Sequence, residues 1–140
     1  MSTFRRASTI WKGPYHGGRA ELSFASSGLG PFAVAPAVTE VAPLGQTSPM
    51  ELLAAAEASC VSGMVAFLLE RKGHEPVELD SSAEVELDGS SIPCVRVRLR
   101  GVVPGLTQEQ FTAVAERAKD NCPVSKALSG TVVSIVAELA

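Results

Sequence analysis

One long apolar segment constrains the fold of this 140-residue chain more than any other feature of its sequence. Ser48 can cap a helix, Pro49 suits the first helical position, and Glu51 completes a Ser-x-x-Glu capping box. The helical pattern then continues to Gly73, which suits the left-handed position that follows a helix end. Because the segment is apolar on nearly every face, the sequence predicts a long helix inside the fold.

The apolar run at residues 52–69 is about the minimum length for a membrane span. It contains Glu57, Ser62 and Gly63, however, and no second run of this length accompanies it. The residues that follow Met1 also lack the apolar centre of a secretion signal. We therefore interpret the run as a helix of a cytoplasmic protein that makes no membrane contact.

The net charge and the length of the chain bear on its binding partners and on its number of domains. Its formal net charge is −3, whereas a nucleic-acid-binding domain usually carries a basic patch, so we expect no nucleic-acid partner. With 46% hydrophobic residues, a chain of this length can bury one core without disulfide bonds. The sequence predicts a single domain over residues 1–140.

Alternating apolar and polar residues predict several strands around two helices. The predicted strands are residues 7–12, 19–25, 31–41, 83–87, 95–99 and 131–139. The prolines of the third strand restrict it to a sheet edge. In the hairpin of the fourth and fifth strands, Glu84 and Glu86 could face Arg96, Arg98 and Arg100, most simply as a solvated strand face.

A second helix begins at Thr107, where Gln110 completes another capping box. Its apolar stripe reaches Cys122, but Pro123 disfavours a helical conformation at the residue before it. We expect the helix to end there and a short helical turn to continue through Leu128. The order βββ-α-ββ-α-β predicts an α+β fold.

Three cysteines without a secretion signal indicate a reducing cytosol, where paired thiols are more often catalytic than structural. Cys60 lies within the first helix, Cys122 at the end of the second, and Cys94 at the start of a strand. On spacing alone, an isolated buried cysteine is usually a small core residue. The chain has no CxxC motif, and His16 and His74 are isolated, so we expect no metal site.

The residues around two of these cysteines carry a more specific signal. The segments TSPMELLAAAEASC at residues 47–60 and AKDNCPVSKAL at residues 118–128 resemble the two cysteine motifs of the OsmC/Ohr family, osmotically inducible and organic hydroperoxide resistance proteins. The resemblance extends from Trp11 to the last strand, and Cys122-Pro123-Val124-Ser125 is closer to the OsmC branch.

The resemblance implies an intertwined homodimer, in which long antiparallel strands wrap around two central helices. It also implies a peroxidase that reduces organic hydroperoxides, and in some branches hydrogen peroxide. The first cysteine, here Cys60, becomes a sulfenic acid, and the second, here Cys122, condenses with it to a disulfide. A dithiol such as a lipoyl-protein then reduces that disulfide, and no cofactor or metal takes part.

The chain departs from the family pattern at two positions. Family members usually have a glutamate directly after the proline of the first motif, where this chain has Met50. The family also holds the thiolate with an arginine, which the OsmC branch places near the position of Glu40 in this chain. The Ohr branch places it in a Gly-Gly-Arg loop, which resembles residues 17–19, so Arg19 is the candidate. Arg19 could equally be a surface residue at the start of a strand.

Glu57 is the carboxylate closest to Cys60 along the first helix. It precedes Cys60 by three residues and so shares its face of the helix. Within an apolar helix a carboxylate needs a partner. Arg19 could be that partner; alternatively, Glu57 could reach solvent or pair across the dimer.

Two other functions compete with the peroxidase. The substitutions at Met50 and Glu40 would suit a non-catalytic member that binds thiols or small molecules. A hydrolase with Cys60 as acyl nucleophile would need a histidine base, and neither His16 nor His74 has a recognisable partner. Turnover of a hydroperoxide with a dithiol would distinguish the peroxidase from both.

Overall fold

The computed structural model describes residues 1–36 and 43–140, and the chain forms two compact units, Met1–Leu52 and Leu53–Ala140. The first unit holds an antiparallel sheet in the order β1-β2-β3, formed by β1 (Ser8–Lys12), β2 (Arg19–Phe24) and β3 (Leu29–Val34). Ala20 and Leu22 are buried on one face of β2, as the alternation predicts. Strand β3 lies at an edge, and the later part of its predicted range falls outside the described residues.

The second unit contains three helices and a second three-stranded sheet. Its elements are α1 (Pro49–Arg71), which begins in the first unit, β4 (Glu78–Val85), β5 (Cys94–Val102), α2 (Gln108–Asn121), α3 (Pro123–Ala127) and β6 (Val132–Leu139). The predicted α+β class is confirmed. Strands β4 and β5 form the predicted antiparallel hairpin, but β6 pairs with β5 in parallel, a direction that the sequence did not predict.

Both ends of α1 follow the sequence signals. The Ser48 hydroxyl accepts a hydrogen bond from the Glu51 N–H at 3.1 Å, while the Glu51 carboxylate accepts one from the Thr47 hydroxyl at 2.8 Å rather than completing the capping box. At the other end Gly73 has a φ of 81°, and the His74 N–H reaches the Leu69 carbonyl at 2.9 Å. This left-handed turn satisfies the last carbonyl groups of the helix.

The long apolar helix that the sequence predicts inside the fold is only partly buried in the single chain. Only one stripe of the helix is buried, formed by Glu57, Val61, Val65 and Leu69. Phe67, on another face, is 51% exposed. The reason is geometric, because a helix can turn only part of its circumference toward a single sheet.

Helix α1 is the one helix within the described residues that is long and apolar enough to cross a membrane. Length and composition alone do not distinguish a membrane span from a core helix. Val61, Val65 and Leu69 belong to the hydrophobic core of the second unit, so this helix stabilises a globular fold through its buried stripe.

The core of the second unit joins α1, α2 and β5. Phe111 and Val114 of α2 are buried with Val97 and Leu99 of β5, on the stripe that the sequence predicts for α2. The Thr107–Gln110 capping box is present in full. A Cβ atom at Gly101 would lie only 2.6 Å from the Phe111 ring, so this position of β5 admits only glycine without a shift of the ring.

The outer face of the β4–β5 hairpin carries the predicted cross-strand charges. Arg96 contacts Glu84 at 2.8 Å and Glu86 at 3.0 Å. All three side chains are largely exposed, which confirms the interpretation as a solvated strand face.

Candidate functional site

Two of the three cysteines meet inside the second unit. Cys60 lies on α1, one residue before the buried Val61, and is half-buried. Cys122 is the residue between α2 and α3, with φ −68° and ψ 123°, the extended conformation that Pro123 imposes. Its side chain is fully buried. Cys60 packs against the core cluster that contains Cys122, the two side chains lie close enough to interact, and both thiols are free.

The surroundings of Cys60 favour its protonated form. Burial is the main cause that raises the pKa of the Cys60 thiol, followed by the contact with Cys122. The backbone N–H of Val124 in α3 lowers this pKa, whereas the charge of Glu57 raises it. The net direction is upward, so a thiolate at this position needs a positive charge from elsewhere.

Glu57 is fully buried three residues before Cys60, on the buried stripe of α1. The alternative in which Glu57 reaches solvent is therefore wrong. Its Oε1 accepts a hydrogen bond from the Ser125 hydroxyl of α3, and its Oε2 has no partner among the described residues. Sequence reasoning missed Ser125, although this serine belongs to the same motif as Cys122.

Arg19 begins β2 in the first unit, where it pairs in register with Lys12 and is exposed. It makes no ion pair among the residues that the structure describes. In the loop before it, a Cβ atom at Gly18 would overlap the Pro14 carbonyl oxygen. The backbone at these two positions is so close that Gly18 must be glycine. The approach of Arg19 to Cys60 stays a prediction, and Glu40 lies outside the described residues.

Cys94 belongs to a different surface. Its Sγ donates to Glu86 Oε2 at 2.9 Å, at the start of β5. This hydrogen bond to a carboxylate is the main cause that raises the pKa of Cys94. Cys94 therefore contacts the charged hairpin rather than either of the other cysteines. Within the described parts of the chain, no three histidine, cysteine or carboxylate side chains gather as metal ligands.

The first unit contains an open, mainly apolar cavity of about 540 Å³. Leu22, Phe24 and Phe32 of the sheet line it together with Leu52 at the start of α1. Thr47 and Glu51 add polar atoms at its rim. Such a cavity can hold a small apolar group.

Comparisons with known proteins point to one family. A sequence model of the family described as OsmC-like protein matches residues 43–136. Proteins named peroxiredoxin OsmC from Escherichia coli K12 and Shigella flexneri are each 33% identical in a 90-residue alignment that covers 61% of this chain and 63% of each relative. The chain thus spans less than two thirds of the length of these curated relatives.

Solved structures share the fold. An OsmC-like protein of unknown function from Vibrio cholerae has a TM-score of 0.77 at 15% identity, covering 97% of this chain and 99% of that one. The organic hydroperoxide resistance protein OhrB of Bacillus subtilis has a TM-score of 0.66 at 23% identity, covering 96% and 98%. An organic hydroperoxide resistance protein from Legionella pneumophila gives 0.68 at 20% identity, covering 99% of both chains. At these identities the likeness establishes the fold alone.

Proposed function

Because the chain belongs to the OsmC-like family, we propose that it is a thiol-dependent peroxidase that reduces organic hydroperoxides, with hydrogen peroxide as a further candidate substrate. The observation that carries this proposal is the contact between Cys60 and Cys122. One of these thiols is half-buried and the other fully buried, so they differ in their access to a substrate. That difference supports attack by Cys60 and resolution by Cys122.

The first step oxidises Cys60. Its thiolate attacks the outer oxygen of the hydroperoxide, the O–O bond breaks, and the alkoxide leaves as an alcohol after it takes up a proton. Sulfur is oxidised to a sulfenic acid while the peroxide is reduced.

The second step uses the neighbouring sulfur. The Cys122 thiol attacks the sulfenic acid sulfur, a disulfide forms, and the hydroxyl group leaves as water with the thiol proton. A dithiol such as a lipoyl-protein then returns both cysteines to thiols and becomes a disulfide itself. Contact between the two sulfurs before oxidation favours this step over further oxidation.

Arg19 is the proposed source of the positive charge that Cys60 needs. The planar guanidinium group of Arg19 offers five N–H donors, enough to bind a carboxylate and still donate to the Cys60 sulfur. The second oxygen of Glu57 has no partner in the described part of the chain and is buried, which leaves one acceptor for such a group. In this proposal Glu57 orients Arg19, in place of the family glutamate that Met50 replaces.

The proposed assembly is a cytoplasmic homodimer. Small or apolar residues of α1 are exposed in the single chain, among them Ala55, Ala56, Gly63 and Phe67. Monomeric proteins rarely leave such a continuous surface on a long helix in water. A second copy of α1 would cover it.

Three single substitutions test the peroxidase. We expect Cys60→Ser to abolish turnover of cumene hydroperoxide with a dithiol, and Cys122→Ser to allow one oxidation of Cys60 but no recycling. Cys94→Ser should retain nearly full turnover, because Cys94 contacts Glu86 instead. Mass spectrometry of the oxidised protein should find a Cys60–Cys122 link, and a dominant link through Cys94 would refute the scheme.

A non-catalytic protein that binds thiols or small molecules is the second candidate. The apolar cavity in the first unit favours it, since Leu22, Phe32 and Leu52 could enclose a small apolar ligand. Saturable binding of an apolar ligand without any oxidation of Cys60 by hydroperoxide would support this function over the peroxidase.

A further inference from the structure

The buried contact between Glu57 and Ser125 joins the helices that carry the two cysteines of the site. Glu57 lies on α1, one helical turn before Cys60, and Ser125 lies in α3, three residues after Cys122. The contact is shielded from water, because Glu57 is fully buried and Ser125 half-buried. A hydrogen bond to a carboxylate is among the stronger ones in proteins, more so away from water.

The turn that contains Ser125 also contains Cys122. The Lys126 N–H donates to the Cys122 carbonyl at 3.0 Å, which closes one helical turn around residues 122–126. The Val124 N–H of the same turn lies near enough to Cys60 to lower the pKa of its thiol. A constraint on Ser125 is therefore a constraint on Cys122 and on Val124 as well.

Without the Glu57–Ser125 hydrogen bond, the backbone at Cys122 would be held mainly by its connection to α2. Its own N–H reaches the Lys119 carbonyl at 3.3 Å, a long hydrogen bond at the last turn of α2. Pro123 has no N–H and contributes no backbone donor to this junction. Helix α3 has only five residues, too few to be stable by itself in water.

We propose that Glu57 and Ser125 are positioning residues, whose hydrogen bond between α1 and α3 keeps the resolving thiol of Cys122 against Cys60. This inference rests on the proposed peroxidase function and deepens it. The Cys60 sulfenic acid has two fates: it condenses with the Cys122 thiol and releases water, or it reduces a second hydroperoxide to an alcohol and becomes a sulfinic acid. The contact favours the first fate.

The test compares Ser125→Thr with Ser125→Val, which have nearly the same shape but differ in the hydroxyl group. Each purified protein is reduced, treated with increasing amounts of cumene hydroperoxide, and analysed by mass spectrometry for the disulfide and the sulfinic acid. We expect the threonine variant to keep the wild-type ratio. The valine variant should form about tenfold more sulfinic acid per disulfide, the ratio that corresponds to the loss of one hydrogen bond to a charged group.

A readout of the first step separates positioning from a general loss of structure. The rate of Cys60 oxidation in the first turnover should be similar in the threonine and valine variants, while only the division of products changes. Ser129→Ala, an exposed serine just after α3, is the matched control and should behave like wild type. In a Glu57→Met background, which lacks the acceptor, the threonine and valine variants should no longer differ.

The outcomes distinguish the two proposals. If wild-type protein forms no Cys60–Cys122 disulfide, the proposed function itself fails. If wild type forms the disulfide and the valine variant divides its products as the threonine variant does, the positioning role of Glu57 and Ser125 is refuted while the peroxidase stands. If the valine variant does not fold, the threonine variant and Ser125→Ala carry the same comparison.

Discussion

At the scale of single residues, Cys60 is subject to opposing effects. Burial, the contact with Cys122 and the charge of Glu57 all raise the pKa of its thiol, and among the described residues the Val124 N–H alone lowers it. A peroxidase needs the thiolate, so the proposed function requires a cation that offsets these effects at neutral pH. In that proposal Arg19 supplies the cation and binds Glu57 Oε2, which has no partner among the described residues.

Replacement of that cation should be visible in the pH dependence of alkylation. We expect Arg19→Ala to raise the alkylation pKa of Cys60 by about one unit, which means roughly tenfold less thiolate at pH 7. The rate of peroxide reduction should fall accordingly and recover in part as the pH rises, because deprotonation then no longer depends on the cation. Glu57→Gln should be milder, since it removes both an orienting charge and a repulsion.

Iodoacetamide labelling between pH 5 and pH 10, followed by mass spectrometry of the Cys60 peptide, measures this shift. Lys12→Ala is a matched control, because Lys12 lies beside Arg19 in the sheet. An alkylation pKa of Cys60 that is the same in wild type and Arg19→Ala would eliminate Arg19 as the thiolate-stabilising residue.

Cys94 offers a second thiol whose titration has a separate cause. Its hydrogen bond to the Glu86 carboxylate raises its pKa, so we expect Glu86→Gln to shift alkylation of Cys94 to lower pH. Arg96 stays in place and also favours the thiolate. The measurement is labelling of Cys94 in protein that carries Cys60→Ser and Cys122→Ser, and a shift to higher pH would contradict the assigned cause.

At the scale of the elements, β5 and α2 meet through a contact that a single methyl group can disturb. Gly101 faces the Phe111 ring, and a Cβ atom there would approach it to 2.6 Å. We expect Gly101→Ala to reduce the free energy of unfolding by about 1–3 kcal/mol, the usual cost of overpacking a core.

Chemical denaturation of Gly101→Ala measures that loss. Gly130→Ala is the control, because a Cβ atom at Gly130 meets no atom within 4 Å. Equal midpoints for Gly101→Ala and wild type would mean that Phe111 can move aside at no cost.

The helix ends were the part of the elements that the sequence predicted best. Ser48, Thr107 and Pro123 act over three or four neighbouring residues, so their signals are complete in the local sequence. The direction of β6 was not predictable in this way, because parallel pairing with β5 depends on residues far apart in the chain. The Glu57–Ser125 contact escaped prediction for the same reason, although each residue lies within a recognised motif.

At the scale of the whole molecule, the sequence predicted the long helix α1, which is only partly buried in the single chain. Local composition predicts that an apolar face will be covered, but it does not say by what. In the single chain, the second sheet and α2 cover the stripe of Val61, Val65 and Leu69. The remaining faces of α1 are the surface that the proposed dimer would cover.

A charge on the exposed face of α1 tests the assembly. We expect wild type to be a stable dimer of 14.6 kDa chains, and Phe67→Glu to weaken it at least tenfold, because burial of an unpaired carboxylate is costly. Multi-angle light scattering over a dilution series measures the change. Val136→Glu, at a similarly exposed position of β6, serves as the control.

A wild-type protein that scatters as a stable monomer at micromolar concentration would contradict the homodimer. Equal weakening by Phe67→Glu and Val136→Glu would place the contact somewhere other than α1.

The parallel pairing of β5 and β6 also bears on how the protein is made. One edge of β5 is paired by β6, which follows α2 and α3 in the chain. The ribosome must therefore synthesise both helices before that edge can be paired. Until then, a nascent chain exposes an unpaired strand edge, and Cys60 has been synthesised without the cysteine that it contacts. Translation order therefore leaves this thiol without its proposed resolving partner early in synthesis, when oxidation would lead to a sulfinic acid or to a bond with another chain.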